Sequence, residues 1–295
     1  MLRHLNAMPR PPDRTVVLGA GGFIGRALMR RLSAAGAPAL GLTRMDIDLL
    51  SPDAAHQLAA VLRSGDALVA VAARAPCKDV PMFIENMMMT RAMIDALSRE
   101  PVAHVVNISS DAVYADEPVP LRESSPAAPV SLHGAMHLAR EIAFGSTVKG
   151  PFATLRPSLI YGADDPHNGY GPNRFRRLAH AGSEIVLFGE GEERRDHVLI
   201  DDVAEVIWRV LERRSAGILN IATGEVHSFR DIADGVIAAA GCRVSIKGSP
   251  RAAPMPHNGY RPFDIAACRA AFPDFVFTSL AAGLAKAQHD MSEQP

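Results

Sequence analysis

The feature that most constrains this chain is a cluster of glycines close to its N-terminus. The segment reads Val17-Leu18-Gly19-Ala20-Gly21-Gly22-Phe23-Ile24-Gly25. A short, β-branched apolar run ends at Leu18 and predicts a buried strand, whereas the apolar residues that follow the glycines recur at helical spacing. A glycine turn between a strand and a helix is typical of a dinucleotide site, because the free N–H groups of the helix N-terminus bind a pyrophosphate.

Three of these glycines have separate predicted tasks. Gly19 allows the tight turn, Gly22 lets the backbone approach the pyrophosphate, and Gly25 lets the helix pack closely on the strand. A glycine-rich turn without a ligand is the alternative interpretation. The strand before the glycines and the helix after them are the context that favours the dinucleotide site.

Strands and helices alternate along the chain as far as Gly162. Predicted strands cover residues 15–18, 39–42, 67–73, 104–109 and 152–155, with a further short strand at 45–49. Predicted helices follow the glycines and cover 54–62, 82–98 and 132–144. Regular βαβα alternation predicts an α/β fold of the Rossmann type, a doubly wound parallel sheet with right-handed crossovers.

The texture of the sequence changes beyond Gly162, where Gly, Pro and Asn become frequent. We therefore expect three regions. Residues 1–13 form a flexible N-terminal lead-in, and residues 14–162 form the dinucleotide-binding Rossmann domain. Residues 163–295 form mainly a small C-terminal substrate-binding lobe, with some segments returning to the sheet.

Composition excludes several classes of protein. The formal net charge is −1 with no basic stripe, so no nucleic-acid partner is expected. No apolar stretch approaches the ~20 residues of a transmembrane helix, so no membrane partner is expected either. The three cysteines lack Cys-x-x-Cys spacing. This argues against a disulfide framework or a structural zinc site and favours a reducing, cytoplasmic location.

Several further segments occur in a characteristic order. They read Ile108-Ser109-Ser110-Asp111-Ala112-Val113-Tyr114, Leu155-Arg156-Pro157, Ile160-Tyr161-Gly162, Gly189-Glu190-Gly191, Arg195-Asp196 and Asp201-Asp202-Val203. With the G-x-x-G-x-x-G spacing, they resemble the extended short-chain dehydrogenase/reductases, the NAD-dependent epimerase/dehydratase family of nucleotide-sugar epimerases, dehydratases and reductases. The chain is similar in these segments to UDP-glucose 4-epimerases, and its Ser-Asp-x-Val segment to dTDP-4-dehydrorhamnose reductases.

This resemblance implies a cofactor, NADP or NAD, a nucleotide-sugar substrate and a homodimer formed through the helices at 82–98 and 132–144. It implies no metal ion. The implied cofactor contacts are Gly19, Gly22, Phe23, Ile24, Gly25, Arg44, Asp48, Leu49, Ala72, Ala73, His137 and Ser158. The implied substrate contacts are Ser110, Asp111, Arg195, Arg261 and Asp264, and Ser110 also matches the catalytic Ser/Thr of the family.

The choice between NADP and NAD depends on the end of the second strand, where the adenosine ribose should lie. Enzymes that use NAD usually carry an acidic residue there, but this chain reads Leu42-Thr43-Arg44, and its first acids are Asp46 and Asp48. Arg44 at this position favours NADP, because a guanidinium can bind the 2′-phosphate. The alternative is that Arg44 is a solvated surface charge and that Asp46 reaches the ribose.

The chain departs from the family at the catalytic centre. The signature Tyr-x-x-x-Lys is replaced by His133-Gly134-Ala135-Met136-His137. Histidine has an ordinary pKa of ~6.5, so His133 suits proton transfer near neutrality without a lysine to lower its pKa. A neutral His137 can still donate a hydrogen bond to a ribose hydroxyl.

Two other interpretations of the histidines stay open. The loss of both signature residues is typical of a catalytically silent relative, which would bind the dinucleotide as a redox sensor or assembly subunit. Two histidines one helical turn apart also suit a metal ion, although no third ligand is evident in the sequence.

Overall fold

The computed structural model describes residues 2–117 and 119–292, so Met1 and residues 293–295, at the ends of the first and last predicted regions, lie outside it. The strands are β1 (Arg14–Leu18), β2 (Ala39–Leu42), β3 (Asp66–Ala70), β4 (His104–Ile108), β5 (Phe152–Pro157), β6 (Leu159–Tyr161), β7 (Ile185–Phe188), β8 (Arg194–Arg195), β9 (His197–Leu199), β10 (Gly217–Ile221), β11 (His227–Ser228), β12 (Ile246–Ser249) and β13 (Tyr260–Arg261).

The helices are α1 (Phe23–Ala34), α2 (Ala54–Val61), α3 (Val80–Arg99), α4 (Leu132–Thr147), α5 (Pro172–His180), α6 (Ile200–Glu212), α7 (Phe229–Ala240), α8 (Ala266–Ala271) and α9 (Leu280–Ser292). A short 3-10 turn, Asp111–Val113, follows β4, and a second 3-10 segment, Pro256–Gly259, precedes β13. Within the residues that the structure describes, none of these helices has the length and apolar character needed to cross a membrane.

The main sheet has six strands in the order β2-β1-β3-β4-β5-β10, and every neighbouring pair is parallel. Alternate residues of β1 explain why both faces are covered. Val17 packs into the core beneath α1 and α6, whereas Val16 and Leu18 pack into the core beneath α2 and α3. The predicted Rossmann-type α/β fold is therefore confirmed.

The prediction of a short strand at 45–49 is wrong, because this segment forms turns. Two carboxylates explain the difference. Asp46 accepts hydrogen bonds from the backbone N–H and the hydroxyl of Thr43, and Asp48 accepts one from the backbone N–H of Leu50. Such local hydrogen bonds favour turns over an extended ladder.

The chain beyond Gly162 builds small sheets of its own and also returns to the main sheet through β10. Strands β11, β8 and β13 form one three-stranded sheet, and β12 pairs with β7. Phe175, Ile185, Phe229 and Ile232 form the centre of a separate apolar core beneath these strands. This second core supports the division into a Rossmann domain and a smaller lobe.

The N-terminal segment expected to be a flexible lead-in makes specific contacts with the domain. Arg3 forms a β-bridge with Ala216, and the side chain of Asn6 donates to the carbonyl of Glu212 at 2.8 Å. The ring of His4 hydrogen-bonds both the hydroxyl of Ser215 and a backbone carbonyl of α8. This segment is therefore packed along the end of α6.

Candidate active site

A cleft of about 860 Å³ opens at the carboxyl ends of the central strands. Ligands of open parallel sheets bind at this edge, because the loops there leave a crevice between the two halves of the sheet. The predicted site residues that line the cleft are Gly19, Gly22, Phe23, Ile24, Arg44, Asp48, Leu49, Ala72, Ala73, Ser110, Asp111, His133, His137, Ser158 and Arg195. Gly25, Arg261 and Asp264 do not line it.

The glycine turn has a geometry that other residues would not permit. Gly19 has a φ of +87°, and a Cβ there would lie 2.8 Å from the backbone nitrogen of Ala72. A Cβ on Gly25 would lie only 2.1 Å from the carbonyl oxygen of Gly19, so α1 packs directly on the turn. Gly22 is the N-cap of α1 and brings no side chain to cap it. The first N–H groups of α1 are thus left for an anion.

The end of β2 carries charges of both signs. The guanidinium of Arg44 lies 3.1 Å from the carboxylate of Asp48, and the Arg44 side chain is 73 % exposed. The hydrogen bonds from Thr43 lower the pKa of Asp46, and those from Leu50 and Arg44 lower the pKa of Asp48. Asp46 is committed to Thr43, so Arg44 and Asp48 are the charged side chains that line this end of the cleft.

Two polar side chains hold the strand end that lines the middle of the cleft. The fully buried Arg140 donates to the carbonyls of Ala70 and Ala72, at 2.6 Å each, and to the side chain of Asn107. Asn86 of α3 hydrogen-bonds both backbone groups of Arg74. Burial lowers the pKa of Arg140 to about 10, which still leaves the guanidinium charged at neutral pH.

The sequence interpretation did not single out Arg140. Its signal was a charged residue on α4 three positions after His137, on the helix face that also buries Met136, Glu141 and Phe144. A lone arginine is usually read as a solvated surface charge, and its place beneath the sheet depends on the packing of α4 against β3 and β4. The structure therefore adds Arg140 as a residue that shapes the cleft.

Ser110 and His133 are brought together by the contact between the 3-10 turn and α4. The Ser110 hydroxyl accepts from the backbone N–H of Ala112 at 3.1 Å and so caps the turn. Ser131 caps α4, and a Cβ on Gly134 would lie 2.0 Å from the carbonyl oxygen of Ala112. This close approach places His133 at the cleft beside the turn that carries Ser110.

The two histidines pack against each other, with ring centroids 4.7 Å apart in an edge-to-face arrangement. His133 Nδ1 accepts from the backbone N–H of Cys77 at 3.3 Å, whereas His137 Nδ1 is buried without a hydrogen-bond partner among the described residues. Burial lowers the pKa of His133, and burial, the nearby His133 and Arg140 lower the pKa of His137 well below its ordinary value. Both rings are therefore neutral at neutral pH.

The metal interpretation gains no further ligand. Within residues 2–117 and 119–292, no group of three or more His, Cys, Asp or Glu side chains is arranged to hold a metal ion.

Ser158, an implied cofactor contact, faces the cleft but donates its hydroxyl to Asp196 at 2.7 Å. Its hydroxyl proton is thus already used within the protein.

The predicted substrate contacts divide into two kinds. Arg195 lines the cleft and its Nε lies 2.7 Å from the carboxylate of Glu193. Arg261 is buried and donates to the Asp111 carboxylate at 2.9 Å and to that of Asp116 at 2.8 Å. Arg261 thus holds the turn after Ser110, because its Nε, Nη1 and Nη2 atoms donate to Asp111 and Asp116. Its direct contact with substrate stays a prediction.

Asp264 also has partners within the protein, and its contact with substrate stays a prediction. Its carboxylate pairs with Arg122 at 2.8 Å and accepts from the backbone N–H of Ala266, at the start of α8. It lies outside the cleft lining, because the chain after β13 turns away towards that helix. The structure therefore separates Asp264 from the other predicted substrate contacts.

Comparisons with known proteins agree with this geometry. The profile of the NAD dependent epimerase/dehydratase family matches residues 15–222. The chain is 28 % identical over 261 residues to the UDP-glucose 4-epimerase of Mycolicibacterium smegmatis, covering 77 % of this chain and 83 % of that protein. It is 29 % identical over 263 residues to the dTDP-6-deoxy-L-talose 4-dehydrogenase (NAD(P)(+)) of Kitasatospora kifunensis, covering 81 % and 83 %.

Solved structures share the same fold. The UDP-glucose 4-epimerase of Thermotoga maritima, determined with UDP-glucose, matches with a TM-score of 0.83 at 18 % identity, over 95 % of this chain and 99 % of that chain. A putative epimerase of Burkholderia cenocepacia matches with a TM-score of 0.82 at 24 % identity, over 96 % and 99 %. The profile match spans well over half of the sequence, and the chain therefore belongs to the NAD-dependent epimerase/dehydratase family.

Proposed function

We propose that this protein is an NAD(P)-dependent oxidoreductase or epimerase that acts on a nucleotide-activated sugar. One observation carries the proposal: a single cleft joins an anion-binding glycine turn to a second end where Ser110 and His133 face the same space. The named relatives, a UDP-glucose epimerase and a dTDP-sugar dehydrogenase, support a nucleotide-sugar as substrate.

The residues of the first end fit a dinucleotide. The positive φ of Gly19, the missing Cβ of Gly25 and the uncapped N-terminus of α1 leave room and N–H donors for a pyrophosphate. A bound nicotinamide supplies or accepts a hydride at a sugar carbon. His137 lines the cleft, and its ring is the group that we propose hydrogen-bonds a ribose hydroxyl.

The residues of the second end act on the sugar oxygen. Ser110 and His133 hold that oxygen while the hydride is exchanged at its carbon. Arg195, the one predicted substrate arginine that lines the cleft, is placed to contact the nucleotide part of the substrate. Arg261 acts indirectly, because it fixes Asp111 and with it the turn that carries Ser110.

A catalytically silent dinucleotide-binding protein is the second candidate. The observation that favours it is the replacement of both signature residues in a site whose remaining parts are intact. The two candidates differ only in turnover, since both require the glycine turn to bind the cofactor.

We propose further that the protein binds both NAD and NADP, because Arg44 and Asp48 offer a cation and an anion at the ribose position.

A homodimer is proposed through α3 and α4, where Ile84, Met88 and Ile142 are each at least half exposed. The three cysteines form no disulfide, which supports a cytoplasmic location. Sedimentation velocity of the wild type tests the dimer, and a monomer would overturn it.

The test of the proposed function is a product assay with a panel of UDP- and dTDP-sugars. The wild-type protein is incubated with each sugar and with NAD, NADP or their reduced forms, and the products are separated by chromatography. We expect at least one sugar to be epimerised, oxidised or reduced. Binding of the dinucleotide and of a nucleotide-sugar, with no product from any member of the panel, would favour the silent binder.

A further inference from the structure

The hydrogen bond between Cys77 and His133 fixes where the proton of the imidazole lies. The backbone N–H of Cys77 donates to His133 Nδ1, at 3.3 Å. A ring nitrogen accepts a hydrogen bond only when it carries no proton, and a neutral imidazole carries one proton in total. The proton of a neutral His133 is therefore on Nε2.

The backbone N–H of Cys77 is held in place because its loop is anchored to α3. Cys77 is 5 % exposed, and its thiol contacts the carbonyl of Asp79. Asp79 is the N-cap of α3 and accepts from the backbone N–H of Met82 at 2.8 Å. Anchoring of the loop to α3 keeps the Cys77 N–H directed at the imidazole.

The other groups around His133 do not oppose this tautomer. His137, one turn along the same helix, meets it edge to face. Asp111, on the 3-10 turn, has its carboxylate occupied by Arg261. Among the described residues no carboxylate hydrogen-bonds His133. Burial lowers the pKa of His133 by more than the nearby charge of Asp111 raises it, which is consistent with a ring that stays neutral.

We propose that the Cys77 backbone N–H fixes His133 as its Nε2–H tautomer, and that His133 acts as a neutral hydrogen-bond donor to the sugar oxygen. The catalytic part rests on the proposed function. A general base would need a lone pair on Nε2, which requires a proton on Nδ1 facing the Cys77 N–H. Cys77 is thus a positioning residue, and the histidine polarises the oxygen without exchanging its proton.

The proton balance then involves water. In reduction the hydride pair adds to the carbonyl carbon, and the π-electron pair of the C=O bond moves onto oxygen. The Nε2–H and the Ser110 hydroxyl stabilise this oxyanion, which takes a proton from a water molecule and leaves hydroxide. Oxidation follows the same path in reverse, with hydroxide removing the proton of the sugar hydroxyl.

The tautomer is tested directly by nitrogen NMR of the full-length protein labelled with ¹⁵N in histidine, which requires no substrate. The His133 signals are assigned by their loss in His133→Gln. We expect Nδ1 unprotonated and Nε2 protonated at neutral pH and above, because burial lowers the pKa of His133 below the ordinary histidine value. A protonated Nδ1, or a cationic ring near pH 6.5, the ordinary value, would overturn the proposal.

A matched pair of variants tests the catalytic part. The Gln amide nitrogen reproduces the position of Nε2, whereas the Asn amide reproduces that of Nδ1. We expect His133→Gln to keep the turnover rate within about tenfold of wild type, because it still donates to the oxygen, and His133→Asn to lose about 100-fold or more. Unfolding curves of both variants check that they are folded.

The outcomes separate the tautomer from the proposed function. His133→Gln and His133→Asn losing turnover equally would overturn the donor role in favour of proton transfer by His133. An Nε2–H tautomer in a wild type that turns over no nucleotide-sugar would retain the role of Cys77 and overturn the catalytic part.

Discussion

The two ends of the cleft differ in what determines their geometry. At the dinucleotide end the backbone decides: a Cβ on Gly25 would lie 2.1 Å from the Gly19 carbonyl oxygen, so neither position tolerates another residue without moving α1. At the catalytic end side chains decide, and His133 and His137 occupy helix positions that accept different residues. The glycine turn therefore follows the family pattern closely, whereas the signature on α4 departs from it while α4 stays in place.

The comparison also shows what links the two ends. Arg140 of α4 donates to the carbonyls of Ala70 and Ala72, at the end of β3, where the cleft turns from one end to the other. Gly134 brings α4 against the turn after Ser110. These contacts of α4 connect the two ends of the cleft and do not involve the side chains of His133 or His137.

The largest expected effect is at the dinucleotide end. Gly22→Asp should abolish NAD(P) binding, because the new carboxylate would lie at the helix N-terminus that must bind the pyrophosphate. Isothermal titration calorimetry measures the affinity. The protein should remain folded, since a Cβ on Gly22 meets only the Gly19 carbonyl oxygen, at 3.3 Å. Unchanged affinity for both dinucleotides would remove the dinucleotide site from the account.

Gly25→Ala is the matched variant at this end. Its Cβ clashes with the turn itself, so we expect a loss of folding stability as well as of binding. A variant that binds weakly but unfolds at the same urea concentration as the wild type would contradict the packing role of Gly25.

At the catalytic end, His133→Ala should reduce the turnover rate by a factor of about 10²–10⁴ while the affinity for NAD(P) is unchanged, because in the proposed function His133 contacts the sugar oxygen and not the cofactor. The rate of the wild type should stay level through about pH 6.5, where an unperturbed histidine titrates, since burial lowers the pKa of His133. If His133→Ala kept full activity, Ser110 and other groups would be the ones that hold the sugar oxygen.

The next effect separates a structural arginine from a substrate-binding one. Arg261→Met should lower the free energy of unfolding by about 2 kcal/mol, because it leaves Asp111 without its ion-pair partner and Asp116 with only His257, in a partly exposed setting. Urea denaturation measures it. Asp264→Asn is the control, since it removes only an ion pair with the exposed Arg122 and should change stability little. If Arg261→Met bound the nucleotide-sugar more weakly but unfolded at the same urea concentration as the wild type, Arg261 would instead contact the substrate directly.

The smallest expected effect concerns cofactor choice. Arg44 is exposed and paired with Asp48, so its replacement by Ala should weaken NADP binding by only about threefold to tenfold and leave NAD binding nearly unchanged. Titration with both dinucleotides checks this. A loss of 100-fold or more for NADP, about what a full charge-assisted contact provides, would show that Arg44 leaves Asp48 and clamps the 2′-phosphate.

The features that the sequence predicted correctly differ from those it did not predict in whether they depend on local patterns or on distant partners. The strands of the sheet, the glycine turn and the position of His133 at the cleft depend on local patterns, and the sequence contains those patterns. The roles of Arg140, Arg261 and Asp264 depend on partners more than 30 residues away along the chain, such as Ala70, Asp111 and Arg122. The segment 45–49 forms turns and not the expected strand, because the carboxylates of Asp46 and Asp48 accept local backbone hydrogen bonds, which no apolar pattern reveals.

The measurement that tests the central claim most directly is the nicotinamide absorbance of the wild-type protein saturated with NAD or NADP while nucleotide-sugars are added one at a time. The account predicts a change in absorbance with at least one sugar, as hydride passes between sugar and nicotinamide, and its loss in His133→Ala at equal dinucleotide occupancy. A wild-type protein that binds dinucleotide and sugar together, yet shows no absorbance change and forms no product with any sugar, would contradict it.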